Sequence, residues 1–174
     1  LAIGSGRQAA LMAPTELLAE QHQRNLQAWF RPLGITVVLV SGSQPARTRR
    51  SALEVVATGE ARLVVGTHAL FQEGLAFKDL ALVIVDEQHR FGVQQRLRLA
   101  EKGQRDGRHP HQLIMTATPI PRTLAMTAYA DLDVSVIDEL PPGRTPVKTV
   151  VLAETKRDEV VARIDAACRR GRQA

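Results

Sequence analysis

Two adjacent carboxylates, Asp86 and Glu87, directly follow the apolar run LALVIV. Such a run predicts a buried strand, and ligands of open α/β sheets lie at the carboxyl ends of strands. Asp86 could hold a Mg²⁺ ion on nucleotide phosphates, largely through water, because Mg²⁺ keeps much of its hydration shell. Glu87 could polarise the water that attacks the γ-phosphate, and His89 could sense the nucleotide from the far wall of the cleft. The tetrapeptide DEQH is equally typical of a polar turn after a buried strand.

Three further predicted strands end in short turns that carry hydroxyl groups. These turns contain Pro14 and Thr15, Gly66 and Thr67, and Thr116, Ala117 and Thr118. A hydroxyl beside the free N–H groups of a helix start is a natural ligand for phosphate oxygens. Taken singly, each turn is more often an ordinary helix N-cap. Four strands that end in this way at one edge of one sheet favour a phosphate-binding edge.

The elements that position these turns follow the pattern of a parallel α/β sheet with helices on both faces, because short apolar runs alternate with amphipathic stretches. The predicted strands are residues 8–14, 35–42, 62–67, 80–87, 111–118 and 133–140, and the predicted helices are residues 15–30, 45–60 and 121–130. In the first helix, Leu18, His22, Leu26, Trp29 and Phe30 are predicted to share one stripe. His22 is interpreted there as a helix-face residue and not as a ligand.

The segment 141–146 contains three prolines and a glycine, which predict a linker. The sequence therefore predicts a first domain over residues 1–140 and the start of a second domain over residues 147–174. The second part comprises a predicted strand, 147–155, and a predicted helix, 156–171. One strand and one helix cannot bury a core alone, so they are expected to be the first βα unit of a larger domain.

Composition indicates a soluble intracellular protein, and its net charge suits either a polyanionic partner or simply a soluble surface. The 174 residues carry a net charge of +5, and basic residues cluster at 47–50, 96–108 and 169–172. Aromatic residues make up only 3% of the chain, so contacts to phosphates are expected to outweigh base stacking. The single cysteine, Cys168, excludes an internal disulfide. No apolar run is long enough to predict a membrane span.

The opening residues GSGR do not form a P-loop. That loop needs the spacing G-x-x-x-x-G-K-[ST] between a strand and a helix, whereas Gly6 is followed by Arg7, Gln8 and an apolar run. We therefore predict a turn that leads into a strand.

Four stretches of the sequence resemble motifs of the superfamily 2 helicases. APTELLAEQ resembles motif Ia, VVGTHAL motif Ib, VDEQHRFG the D-E-x-H box of motif II, and MTATPIPRT motif III. DEQHRFGVQQR together with the long stretch from HPHQLIM to PPGRTP is similar to the RecG branch of branch-migrating ATP-dependent DNA helicases. The resemblance covers essentially the whole chain. The transcription-repair coupling translocases, which share the H-R-F-G and T-A-T-P-I-P-R-T elements, are the alternative.

The resemblance implies a role for each motif residue. Asp86 would bind Mg²⁺ through water and Glu87 would be the hydrolytic base, with ATP and Mg²⁺ as cofactors. His89 and the turn of Thr116, Ala117 and Thr118 would couple the nucleotide state to the grip on DNA. The implied DNA-binding residues are Pro14, Thr15, Gly66 and Thr67. The implied function is the remodelling of stalled replication forks and Holliday junctions in recombination and repair. The implied protein is a bacterial monomer that is cytoplasmic and nucleoid-associated. Its partner would be branched or duplex DNA and not a membrane.

The resemblance also implies a RecA-like fold of the P-loop NTPase type from which the first strand and the P-loop are missing. In the family, a strand and a G-x-G-K-[ST] loop precede the segment that begins this sequence, and an arginine finger follows in the second motor domain. We therefore expect the chain alone to be inactive. A basic α/β module that binds DNA without hydrolysis is the alternative, and a dinucleotide-binding protein is disfavoured because no G-x-G-x-x-G follows a strand.

Overall fold

The computed structural model describes residues 1–72, 74–91, 101–104, 107–117, 133–145 and 147–173. The chain divides into two compact units, Leu1–Ala128 and Tyr129–Ala174. The predicted linker lies within the second unit, so the domain limits drawn from the sequence stay a prediction. None of the helices in the described ranges is both long and apolar enough to span a membrane.

Five strands of the first unit form one parallel sheet in the order β2-β3-β1-β4-β5. The strands are β1 (Gln8–Met12), β2 (Val37–Val40), β3 (Leu63–Gly66), β4 (Leu80–Val85) and β5 (His111–Ile114). The helices are α1 (Glu16–Phe30) and α2 (Ala46–Ala57) in the first unit and α3 (Arg157–Arg169) in the second. Short 3₁₀ helices cover Arg31–Leu33, His68–Phe71, Gln88–Arg90 and Glu154–Lys156. The predicted parallel α/β fold is confirmed, and strand order places β1 at the centre of the sheet.

Both faces of the sheet are covered by apolar packing, because alternate residues of a strand point to opposite faces. On one face, Ala10 and Met12 of β1 belong to the same buried cluster as Val56 of α2. On the other face, Ala9 of β1 belongs to a second cluster, against which Leu26 of α1 packs. Strands buried on both faces read as continuous apolar runs, which is why the sequence showed them clearly.

The amino end of β1 is fixed by the turn before it and by a buried glutamine. Gly6 has a φ of 77°, and the bonds Gly6 N–H to Ile3 O and Arg7 N–H to Ala2 O form the pattern that ends an α-helix. Gln8 is fully buried, and its amide nitrogen donates to two carbonyl oxygens, at 2.9 and 2.8 Å. Its amide oxygen accepts a third bond, from a backbone N–H, at 3.0 Å. The GSGR segment is therefore a turn, as predicted.

Three sequence predictions differ from the structure. Residues 133–140 and 147–153 contain no strand in the described part of the chain, and apolar residues alone do not form a strand because a strand needs a hydrogen-bonding partner. Trp29 is 69% exposed and does not share the partly buried stripe of α1, which Leu18, His22, Leu26 and Phe30 follow at intervals of four. The helix after 156 is confirmed as α3. The helix predicted over residues 121–130 lies outside the described residues.

Candidate functional site

Asp86 and Glu87 lie where β4 ends, at the carboxyl edge of the sheet. The backbone N–H of Asp86 donates to the carbonyl oxygen of Met12 at 2.9 Å, which extends the pairing with β1 by one residue. On the other side, the N–H of Gln88 donates to the carbonyl oxygen of Met115 at 3.1 Å. The DEQH turn is thus attached to both neighbouring strands, in the position where open α/β sheets bind ligands.

The carboxylate of Asp86 is fixed on both of its oxygens. Its Oδ2 lies 2.8 Å from Nε2 of His22, on helix α1, and its Oδ1 accepts the backbone N–H of Glu87 at 2.9 Å. The Asp86 side chain keeps 22% of its surface exposed, so a ligand can still reach it. Sequence reasoning did not find His22 as a partner of Asp86, although it placed His22 on the helix face where the sheet packs.

Glu87 has a left-handed backbone, with a φ of 50° and a ψ of 54°. Among the described residues it is the one non-glycine position with a positive φ. A left-handed conformation costs a non-glycine residue roughly 1–3 kcal/mol, and such strain concentrates at functional sites. The turn therefore keeps a carboxylate where glycine would fit the backbone better.

The donor atoms of this turn suit a magnesium ion that is bound mainly by phosphates and water. Mg²⁺ takes oxygen ligands and is held by one or two carboxylates together with substrate phosphates. Asp86 and Glu87 offer such oxygens, and the described residues contain no group of three or more histidine, cysteine or acidic side chains that could hold a metal without a nucleotide. The residues present therefore fit Mg²⁺ bound to a nucleotide and do not form an all-protein metal cage.

The turn after β1 presents the start of α1. Thr15 is exposed and is the N-cap, since its Oγ1 accepts the N–H of Leu18 at 3.3 Å. Pro14, just before it, is half-buried. The next residue, Glu16, accepts the N–H of Ser43 from the loop after β2 at 3.0 Å. The hydroxyl of Ser43, its N–H and nearby His68 lower the pKa of Glu16 below its ordinary value of 4.5.

The turn after β3 is more deeply buried than the turn after β1. A side chain on Gly66 would overlap the carbonyl oxygen of Val40 and would approach Leu70 to 2.9 Å, so this position needs glycine for packing. Thr67 is only 1% exposed, and among the described residues its hydroxyl has no hydrogen-bond partner. Its neighbour His68 is exposed and lies near Glu16. The sequence identified this turn, but His68 is the side chain that it presents to solvent.

The turn after β5 begins next to the DEQH turn. The N–H of Met115 donates to the carbonyl oxygen of Val85 at 2.8 Å, and Thr116 and Ala117 follow as exposed residues. Thr118 and the side chain of His89 lie outside the described part of the chain. The structure therefore brings together the ends of β1, β4 and β5 around Asp86, and the ends of β1, β2 and β3 around Glu16.

Comparison with known proteins agrees with this arrangement. A family model described as DEAD/DEAH box helicase matches residues 2–127. The chain is 64% identical to the ATP-dependent DNA helicase RecG of Escherichia coli K12, over 99% of this chain and 25% of that protein. It is also 64% identical to RecG of Haemophilus influenzae, over 96% of this chain and 24% of that protein.

A solved structure of RecG bound to a three-way DNA junction superposes with a TM-score of 0.78 at 40% identity, over 95% of this chain and 22% of that one. The RecA-like fold and the resemblance to RecG are thereby confirmed. The chain spans about a quarter of the length of the curated relatives it matches. Because the family model covers most of the sequence, the chain belongs to the DEAD/DEAH box helicase family.

Proposed function

We propose that this chain carries part of the ATP-hydrolysing and DNA-binding machinery of a helicase that remodels branched DNA. The observation that supports this most directly is the pair of carboxylates on the turn after β4, held between the ends of β1 and β5. Stalled replication forks and Holliday junctions are the proposed substrates, in recombination and repair. One similar protein was solved on a three-way DNA junction, which supports a branched substrate here.

In this proposal Asp86 orients the water shell of Mg²⁺, and Glu87 accepts a proton from the attacking water. The bound Mg²⁺–ATP supplies the phosphoryl group and the charge neutralisation that its transfer requires. Glu87 has a left-handed backbone, and its N–H holds the carboxylate of Asp86 in place. His89 and Thr116–Thr118 are proposed to couple the nucleotide state to DNA.

DNA is proposed to cross the ends of β1, β2 and β3. Pro14 and Thr15 present the exposed start of α1 to phosphate oxygens. The turn of Gly66 and Thr67 is too buried for a side-chain contact, so we propose that it contributes backbone groups and the exposed ring of His68. Such contacts bind phosphates and carry little sequence information.

We propose that the activity belongs to a protein about as long as the curated relatives. That protein is proposed to act as a monomer at the nucleoid, in the bacterial cytoplasm. The 174 residues include no G-x-G-K-[ST] loop, which supplies the lysine for the β- and γ-phosphates. The chain alone is therefore proposed to be inactive in ATP hydrolysis, although it holds the carboxylates.

The test compares the whole protein with the isolated chain. ATP turnover is measured with and without branched DNA, and the separation of a synthetic fork is measured in the presence of ATP. We expect the whole protein to hydrolyse ATP faster with branched DNA and to separate the fork, and the isolated chain to do neither. Binding of DNA by the whole protein without hydrolysis would favour a DNA-binding module instead. Turnover by the isolated chain would refute the claim that it is inactive alone.

A further inference from the structure

His22 contacts Asp86, although the proposed chemistry gives His22 no role. It lies in the second turn of α1, and its Nε2 is 2.8 Å from Oδ2 of Asp86, a residue 64 positions later in the chain. Both side chains are partly buried, with exposed fractions of 30% for His22 and 22% for Asp86. A polar contact that is half-shielded from water is stronger than one on an open surface. The geometry therefore joins helix α1 to the carboxylate of the DEQH turn.

The two contacts on Asp86 restrict its side chain from opposite sides. The N–H of Glu87 holds Oδ1, and among the described residues His22 is the side chain that is hydrogen-bonded to Oδ2. A carboxylate that rotates must be reordered each time a ligand binds, and this ordering reduces affinity. Residues that orient a metal-binding carboxylate commonly contribute about 10–100-fold to metal affinity.

We propose that His22 is a positioning residue, which holds the carboxylate of Asp86 in the orientation that receives Mg²⁺ bound to a nucleotide. This inference rests on the proposed function, because it assigns Asp86 to that ion. Histidine suits the role because an N–H at Nε2 can reach Oδ2 of Asp86 from helix α1. In this proposal His22 acts through Asp86 and not on the nucleotide itself.

The test uses three variants of the whole protein. His22→Leu removes the donor and keeps an apolar body, whereas His22→Gln keeps an amide N–H that can reach the same oxygen. Asn25→Leu is the matched control, because Asn25 is exposed on the same helix. Binding of a fluorescent, non-hydrolysable ATP analogue is titrated with Mg²⁺, and the Mg²⁺ concentration at half-maximal binding is measured. Binding is also measured with EDTA.

We expect His22→Leu to raise that Mg²⁺ concentration about tenfold or more, with unchanged binding in EDTA. His22→Gln should restore most of the difference, and Asn25→Leu should match the wild type. Equal Mg²⁺ dependence in His22→Leu and the wild type would overturn the inference alone. An equal loss with and without Mg²⁺ would also overturn it, because the residue would then be merely structural. A wild-type protein that binds no nucleotide would overturn the proposed function as well.

Discussion

Gly66→Ala is expected to destabilise the sheet at the end that carries the site. The new Cβ would overlap the carbonyl oxygen of Val40 in the neighbouring strand and lie 2.9 Å from Leu70. Both neighbours are buried, so the overlap can be removed only if β2 moves away from β3. Overpacking of this kind costs about 1–3 kcal/mol.

Gly42→Ala is the matched control, since Gly42 follows the adjacent strand. A Cβ there would meet only ordinary contacts, the nearest being Oε1 of Glu16 at 3.8 Å, and its φ is not positive. The lower entropy of the unfolded chain should stabilise this variant by about 0.4–1 kcal/mol. The two variants should therefore differ by roughly 1.4–4 kcal/mol in the free energy of unfolding.

Urea unfolding of the chain, followed by circular dichroism, measures this difference. With a slope of about 2 kcal/mol per molar urea, the midpoint of Gly66→Ala should fall about 0.7–2 M below that of Gly42→Ala. Equal midpoints would refute the reasoning, because they would show that β2 and β3 can separate without cost.

Three further predictions concern other parts of the first unit. Gln8→Leu removes three buried hydrogen bonds, each worth about 1 kcal/mol net. The free energy of unfolding, measured in urea, should therefore fall by about 3 kcal/mol, and a fall below about 1 kcal/mol would contradict this. The lowered pKa of Glu16 means that its bond to Ser43 stabilises the fold above pH 4.5 and stops doing so as the pH falls through the lowered pKa. The stability difference between the wild type and Glu16→Gln should therefore shrink on acidification, and a constant difference would oppose the assignment. Thr116→Ala combined with Thr118→Ala should keep part of the ATP turnover of the whole protein and lose fork separation; loss of both together would argue against a coupling role.

Strands β1, β3 and β4 could be predicted from the sequence because they are largely buried on both faces, whereas β5 is mostly exposed. Five apolar runs of the first unit all became strands of one parallel sheet. The segment that contains Val134, Val136 and Ile137 has equally strong β-propensity and forms no strand. Propensity describes how a side chain fits a paired surface, so it cannot supply the partner strand.

The candidate site could be predicted only as far as the ends of strands are visible in sequence. Asp86 and Glu87 stand out because they follow an apolar run. The contact between His22 and Asp86 joins residues 64 positions apart, and helical spacing shows only that His22 faces the sheet. The burial of Thr67 was equally hidden, since a threonine after a strand has the same sequence signal whether its hydroxyl points outwards or inwards.

The rate of ATP hydrolysis by Glu87→Gln in the whole protein tests the central claim most directly. Glutamine keeps the shape of the side chain but cannot accept the proton of the attacking water. With branched DNA and saturating Mg²⁺–ATP, we predict that turnover falls about 10²-fold or more while nucleotide and DNA binding are retained. Turnover at the wild-type rate would contradict the assignment of hydrolysis to the carboxylates at the end of β4.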